Sequence, residues 1–411
     1  MTPVGTLVVG AGQAGIQIAV SLRELGDREP IHVAGAESTP PYQRPPLSKG
    51  YLLGDLHEDS LHLRTAQFYR DREITLLLGT TVSALRPAPD CGWTAVLGNG
   101  RELAYARLAL ATGARPRKLS VPGAELAGVH TLRTLADADA IRAGLAAAQQ
   151  VVVIGGGFIG LEAAAVARSL GKEVTVVEAA DRLLGRSLSA EVADFLYRAH
   201  CARGVAIHLG AAAAELRGEA GRVTDVVLGD GTVLPADLVV VGVGAESRTE
   251  LAEAIGLACR GGIVVDQAAR TSHPGVVAAG DCTVGGHHLA GPAGRFESVQ
   301  NATDQAKVAA ATLLGAPARY DEVPFFWSDQ GDLKLQMAGW TGGADTRLVR
   351  GDPSTDHFAV LHFRDGRLAA VEAVNAPQDF LAARRAITKG QTIDPVAAAD
   401  HTVALRTLLR D

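Results

Sequence analysis

Three glycines and one acid carry the first chemistry legible in this chain. Gly155, Gly157 and Gly160 have the spacing GxGxxG, and Glu178 stands about twenty residues on, where a ribose-binding acid belongs. A helix that opens on glycines lets a pyrophosphate approach its free N–H groups and the positive end of its dipole. A carboxylate at Glu178 accepts both hydroxyls of an adenine ribose and repels a 2′-phosphate, which predicts NAD(H) rather than NADP(H). Arg182 and Arg186 follow closely and could meet such a phosphate, but the carboxylate outweighs them. Glycine fills 47 of 411 positions, so GxGxxG arises by chance about 0.6 times in such a chain and the spacing alone decides little. Its flanks decide it: continuous apolar runs precede the glycines and lead up to Glu178, as buried parallel strands do. A second copy exists, with a strand at 6–9, then Gly10, Gly12 and Gly15, a helix to Gly26, and a strand at 31–34 ending near Glu37. Two fingerprints imply two dinucleotides.

Other groups stand close to these turns. Pro41, Pro45 and Pro46 stiffen a loop that carries Arg44 and Lys49, a frame that holds cations against an anion or simply projects them into solvent. The three prolines predict neither helix nor central strand there. Ala111-Thr112-Gly113 is a small-residue exit from a strand, and Gly280-Asp281 sets an acid at the carboxyl end of another, where open α/β sheets bind ligands. His287-His288 resembles a metal pair, yet neighbours in a strand point to opposite faces, so a surface loop is expected. Cys282 reads as a small buried hydrophobe. Cys91, Cys201, Cys259 and Cys282 are too scattered for a disulfide framework or a zinc site.

The elements that must position these groups follow from periodicity. Strands are expected at 74–78, 82–85, 93–97 and 107–111, a linker at 114–128 and a helix at 136–148. Beyond Glu178 come a helix at 189–203, a strand at 205–209, a hairpin turning at 229–231 and a strand at 238–243 that ends in Gly242-Val243-Gly244. Strands at 262–266 and 276–279 precede a helix at 298–314. From Tyr320 the signals turn antiparallel, with strands at 333–338, 358–363 and 368–374 and helices at 379–389 and 401–409. The fold class is α/β with two Rossmann-like dinucleotide-binding domains and a C-terminal α+β domain.

Composition narrows the function. A net charge of −6 argues against nucleic acid as a partner, and no apolar run approaches a membrane span. The first strand is entered by Leu7 without a charged and apolar leader, so a cytoplasmic protein is expected.

With these pieces assembled, the chain resembles the flavoprotein ferredoxin reductases of bacterial oxygenase systems, within the glutathione-reductase structural family. The likeness spans essentially the whole chain. It is carried by Arg44-Pro45-Pro46-Leu47-Ser48-Lys49, by residues 155–162, by Glu297-Ser298-Val299-Gln300-Asn301-Ala302, and by Phe326-Trp327-Ser328-Asp329-Gln330. The resemblance implies FAD on the first fingerprint, held by Gly10, Gly12, Ala14, Gly15, Glu37, Arg44, Lys49, Val82, Ala111, Thr112, Gly113, Arg115, Gly280, Asp281, Ser298, Val299 and Trp327. It implies NADH on the second, held by Gly155, Gly157, Phe158, Ile159, Gly160, Glu162, Glu178, Gly242, Val243 and Gly244. Lys49, Glu162 and Trp327 are then the catalytic candidates, with Glu162 at the nicotinamide amide and in reach of Lys49.

The layout implied is an FAD domain at 1–115 and 245–320, an NAD domain inserted at 116–244, and a C-terminal domain at 321–411. Three positions depart from the family pattern: Phe325 replaces a tryptophan, Ala36 an acid, and Ser247 a proline. No cysteine pair follows the first nucleotide strands, so a disulfide relay is not expected and the flavin itself is the reactive element. Hydride from NADH would leave the flavin as single electrons for a [2Fe–2S] ferredoxin that serves a cytochrome P450 or a ring-hydroxylating dioxygenase. Docking would use the C-terminal domain, with Arg384, Arg385 and Lys389 as candidate basic contacts or merely a solvated helix face. The chain is expected to be a monomer or weak homodimer, with no bound metal. Two other readings are an NADH oxidase or peroxidase, which usually needs a cysteine near the flavin, and a signalling flavoprotein like apoptosis-inducing factor.

Overall fold

The structure, a computed structural model, describes residues 5–88, 92–290 and 294–410. Cys91 lies outside the described residues. The chain forms two compact units, one of residues 1–43, 61–115 and 246–324, the other of residues 44–60, 116–245 and 325–411.

The first unit is built on a five-stranded parallel sheet ordered Val276–Ala278, Arg107–Leu110, Thr6–Val9, Ile31–Ala34 and Ile74–Leu77. Side chains along Thr6–Val9 alternate between two cores. Val8 packs with the helices Gln13–Glu24 and Val299–Leu313, through Ile16, Ala19, Ala302, Ala306 and Ala309. Leu7 and Val9 point the other way, to Trp93, Ala95 and Leu97 of an antiparallel meander formed by Val82–Pro87, Trp93–Leu97 and Glu102–Tyr105. Both faces being covered, the central strand is apolar at nearly every position.

The second unit repeats the parallel design, ordered Val205–Leu209, Glu173–Glu178, Gln150–Ile154, Leu238–Val241 and Val129–Thr131. Its helix Leu135–Ala147 starts at a capping box in which the Thr134 hydroxyl and Asp137 carboxylate exchange backbone bonds. An antiparallel sheet, ordered Phe325–Gln330, Leu333–Gly339, Arg367–Val374, His357–Arg364 and Thr346–Asp352, carries the helix Pro377–Lys389. Buried Glu372 of this sheet accepts from the Ser189 backbone N–H at 3.0 Å and from its hydroxyl, at the start of the helix Ala190–Ala202. The carboxylate thus satisfies a helix N-terminus that would otherwise be buried unpaired.

Several expectations are corrected. The proline loop is not free of helix: Pro45–Ser48 is a 3₁₀ turn, followed by the short helix Gly50–Leu53. Proline is tolerated in a first turn because its missing N–H would have no helical partner there. Residues 401–409 form no α-helix; the chain instead makes Pro395–Ala399 and a 3₁₀ turn at Leu405–Thr407. His287 is buried rather than at the surface, its Nε2 2.9 Å from the Glu322 carbonyl oxygen, and its ring stacks on that of His288 at 4.7 Å.

Candidate functional site: two nucleotide turns and a buried Lys–Glu pair

In the first unit Gly10 has φ +116, and a Cβ there would run into the Ala111 carbonyl; a Cβ on Gly15 would run into the Gly10 carbonyl. These glycines let strand, turn and helix close on one another. Gly12 differs. It is the N-cap of Gln13–Glu24, makes no side-chain cap, and a Cβ added to it would meet nothing within 4 Å. Open space therefore lies in front of this helix N-terminus, whose free N–H groups could meet an anion such as a pyrophosphate.

Glu37, Ala111 and Gly280 follow the carboxyl ends of Ile31–Ala34, Arg107–Leu110 and Val276–Ala278. Glu37 accepts from the Tyr42 hydroxyl at 2.6 Å. Ala111 ends the Arg107–Leu110 strand, Thr112 donates through its hydroxyl to the Arg248 carbonyl at 2.6 Å, and Gly113 turns at φ +69. Gly280 has φ +84, and its Cα faces Ala14 so closely that a Cβ would lie 3.0 Å from the alanine methyl. Half-buried Asp281 follows it, and its carbonyl accepts from the Ser247 hydroxyl at 2.8 Å. Ser298 caps the helix that begins at Val299, accepting from the Asn301 N–H at 3.0 Å. Val82 is buried at the start of its strand. Arg115 engages Glu246 at 2.6 Å and also Glu250. Buried Cys282 has its thiol pushed up by burial, and so stays protonated and inert.

In the second unit Gly155 turns at φ +109 against the Gly242 carbonyl, which brings Gly242, Val243 and Gly244 beside the fingerprint. Gly157 is the N-cap of Phe158–Ser169 and again has no side-chain cap; Gly160 closes on Gly155. Ile159 is exposed at the start of this helix, whereas Phe158 packs against Phe326 at 4.7 Å. Glu178 accepts from the Gly156 N–H at 2.6 Å on one oxygen and from the Ala180 N–H at 2.8 Å on the other. Each oxygen retains one lone pair, which is the requirement of a two-hydroxyl ribose.

One turn further along the same helix Glu162 is buried, at 3% exposure, an arrangement that needs compensation. Lys49 Nζ lies 2.7 Å from one carboxylate oxygen, which also accepts from the Ser48 hydroxyl. The Ser328 hydroxyl donates to the other oxygen at 2.6 Å. Lys49 and Ser48 come from the proline turn, and Ser328 from the Phe325–Gln330 strand. Half-buried Trp327, on that strand, stacks on Phe325 at 5.9 Å. The Arg384 guanidinium covers the Phe325 ring at 4.1 Å, whereas Arg385 and Lys389 are exposed. Arg44 donates to the Arg133 carbonyl at 2.7 Å.

Sequence reasoning named Lys49 and Glu162 but missed Ser48, Ser328 and their support, Gln330 and His200. The available signal was the serine and glutamine of Phe326-Trp327-Ser328-Asp329-Gln330, both at alternate, inward-facing positions. Among the described residues no group of three or more His, Cys, Asp or Glu could hold a metal ion. No described helix is long and apolar enough to cross a membrane.

Comparison with known proteins extends this picture. Residues 5–306 match the model of the pyridine nucleotide-disulphide oxidoreductases, and residues 325–409 match the reductase C-terminal domain. Rhodocoxin reductase of Rhodococcus erythropolis is 45% identical over 402 residues, 97% of this chain and 93% of the relative. The ferredoxin–NAD(+) reductase component of the anthranilate 1,2-dioxygenase system of Burkholderia cepacia is 44% identical over 404 residues, 98% of each. The crystal structure of the covalent putidaredoxin reductase–putidaredoxin complex superposes with a TM-score of 0.93 at 38% identity, covering 98% of this chain and 97% of that one.

Proposed function

Because this chain belongs to the pyridine nucleotide-disulphide oxidoreductase family, we propose that it is an FAD-containing, NADH-dependent ferredoxin reductase. Its acceptor is a [2Fe–2S] ferredoxin that serves a cytochrome P450 or a ring-hydroxylating dioxygenase. The observation that carries the reading is a pair of glycine-opened, uncapped helix N-termini in one chain whose proline turn offers Lys49, not cysteine, to the nucleotide helix. The names of the relatives, rhodocoxin reductase and a ferredoxin–NAD(+) reductase component, support the same acceptor class.

The residues present fit the two dinucleotides. The open space at Gly12, the strand ends at Ala111-Thr112-Gly113 and Gly280-Asp281, Ala14 and Gly15, Glu37, and the Ser298-Val299 helix start would hold FAD, with Val82 and Arg115 of the same unit completing the set. When bound, FAD supplies two-electron acceptance from NADH and one-electron release to the ferredoxin. Gly155, Gly157 and Gly160 admit the NADH pyrophosphate, Glu178 takes the adenine ribose, and Glu162 orients the nicotinamide end, with Gly242, Val243, Gly244, Phe158 and Ile159 forming the walls. Lys49 neutralises Glu162 and presents a cation beside it. Orientation is the main demand of hydride transfer, and a carboxylate held from both oxygens meets it.

We assign 1–115 with 245–320 to FAD, 116–244 to NADH and 321–411 to the C-terminal domain. Exposed Arg385 and Lys389 are candidates to meet an acidic ferredoxin. The protein works in the cytoplasm as a monomer or weak homodimer. The test is NADH-driven cytochrome c reduction by the purified protein with and without an added [2Fe–2S] ferredoxin. Strong dependence on the ferredoxin is expected; NADH consumption that ignores it and follows oxygen would make the protein an oxidase.

A further inference from the structure

We infer that Ser328 is a positioning residue for Glu162, aimed by Gln330 and His200, and that together they leave Glu162 one acceptor position, which takes an N–H of the nicotinamide carboxamide. This rests on the reading of Glu162 given above. His200, in the last turn of Ala190–Ala202, is buried, and burial lowers its pKa, so the ring is neutral and carries one proton. Its Nε2 lies 2.8 Å from Gln330 Oε1, and Gln330 Nε2 lies 3.4 Å from the Ser328 hydroxyl. With the amide nitrogen facing Ser328, Oε1 is an acceptor, so the imidazole proton must sit on Nε2; the other tautomer would set two acceptors face to face. His200 Nδ1 is then the bare nitrogen, and it has no partner among the described residues. Ser328 accepts from Gln330 and therefore directs its own proton to Glu162 Oε1, at 2.6 Å.

Every donor in this chain points toward the carboxylate. A carboxylate has about four lone-pair sites. Lys49 and Ser48 fill both on Oε2, and Ser328 fills one on Oε1. Among the described residues no donor takes the fourth, and its direction is set by the side chain that fills the other position on Oε1. A carboxamide offers two N–H donors fixed in its plane, and one of them can take that position.

The test measures, by calorimetry on the flavin-loaded protein, the dissociation constants of NAD⁺, of its 3-acetylpyridine analogue, which has a methyl ketone and no N–H, and of ADP-ribose. Ser328→Ala should weaken NAD⁺ about tenfold, leaving the analogue and ADP-ribose unchanged, because only the charge-assisted bond to the carboxamide is misaimed. Gln330→Glu should do the same without touching Glu162, since a carboxylate there draws the Ser328 proton to itself. Equal weakening of all three ligands, or an undiminished preference for NAD⁺ over the analogue, would overturn the inference. Glu162→Ala separates the levels. If it abolishes the preference while Ser328→Ala preserves it, only the positioning chain fails; if Glu162→Ala also preserves it, the role given to Glu162 fails as well.

Discussion

The two kinds of glycine in the first nucleotide turn should respond to alanine in opposite ways. Gly10 has φ +116, and its Cβ would overlap the Ala111 carbonyl. Left-handed backbone alone costs about 1–2 kcal/mol, and overpacking against fixed backbone adds about 1–3 kcal/mol, so Gly10→Ala should lose roughly 2–5 kcal/mol and a large part of the folded protein. Gly12 has φ −81 and ψ −169, an ordinary extended conformation, and open space around its missing Cβ. Gly12→Ala should therefore fold at least as well, gaining about 0.4–1 kcal/mol from a less flexible unfolded chain. The same methyl, however, enters the space assigned to the pyrophosphate. A penalty of about 3 kcal/mol there lowers FAD affinity roughly 150-fold. The assay is flavin content by absorbance, with thermal unfolding of the flavin-stripped protein measured in parallel. Stripped Gly12→Ala should melt at or above wild type, yet fail to hold stoichiometric FAD at micromolar concentrations. A Gly12→Ala protein that keeps full FAD would refute the assignment of that space to the cofactor.

Other perturbations follow from the second unit. Glu178→Ala should raise the NADH KM about 10- to 100-fold with kcat changed little, the signature of lost uniform binding, while NADPH use holds or improves; an unchanged NADH KM would remove Glu178 from the site. Lys49→Met leaves buried Glu162 with hydroxyl donors alone and should destabilise the protein by about 3 kcal/mol, much of it recovered in the Lys49→Met, Glu162→Gln double variant; additive losses in thermal or denaturant unfolding would show that the pair is not coupled. Arg350, 2% exposed, donates to the carbonyls of Ala398, Asp400 and Val403 and lies 3.0 Å from Asp379. Arg350→Met should cost about 3–5 kcal/mol and release residues 394–410 to proteolysis and hydrogen exchange ahead of the rest; uniform protection would contradict this.

Among the elements legible in the sequence are those whose surroundings are apolar on every side. Thr6–Val9 and Gln150–Ile154 lie in sheets covered on both faces, so burial writes itself as a continuous apolar run, and the glycines and Glu178 then follow by counting. Two strands that escaped bury polar groups. Along Phe325–Gln330 the fully buried side chains are Ser328 and Gln330, while the aromatics are only half covered, so the usual inward-apolar alternation is inverted. The inversion follows from Glu162 and His200 facing that strand. Thr346–Asp352 was missed for a similar reason, since its buried residue is Arg350. Leu405 and its neighbours suggested a helix at 401–409, but the chain there is held by backbone carbonyls turned toward Arg350 rather than by a helical ladder. In each case a buried polar partner, distant in sequence, overrode local periodicity.

The order in which the carboxylate at position 162 acquires its partners carries a consequence for synthesis. Lys49 and Ser48 leave the ribosome early, Glu162 later, and Ser328 about 280 residues after Lys49, which at about 5–20 residues per second is a wait of roughly 15–60 seconds. Residues 44–60 sit in the second unit although chain of the first unit flanks them on both sides. The nascent chain must therefore hold this short segment in reserve while the nucleotide helix that needs it is still being made. Newly made protein passes through an interval in which an ionisable carboxylate destined for burial has only part of its escort, and Phe158 lacks Phe326 to cover it. That interval is where a chaperone would have most to protect, and where slower translation past residue 162 would lengthen the exposure.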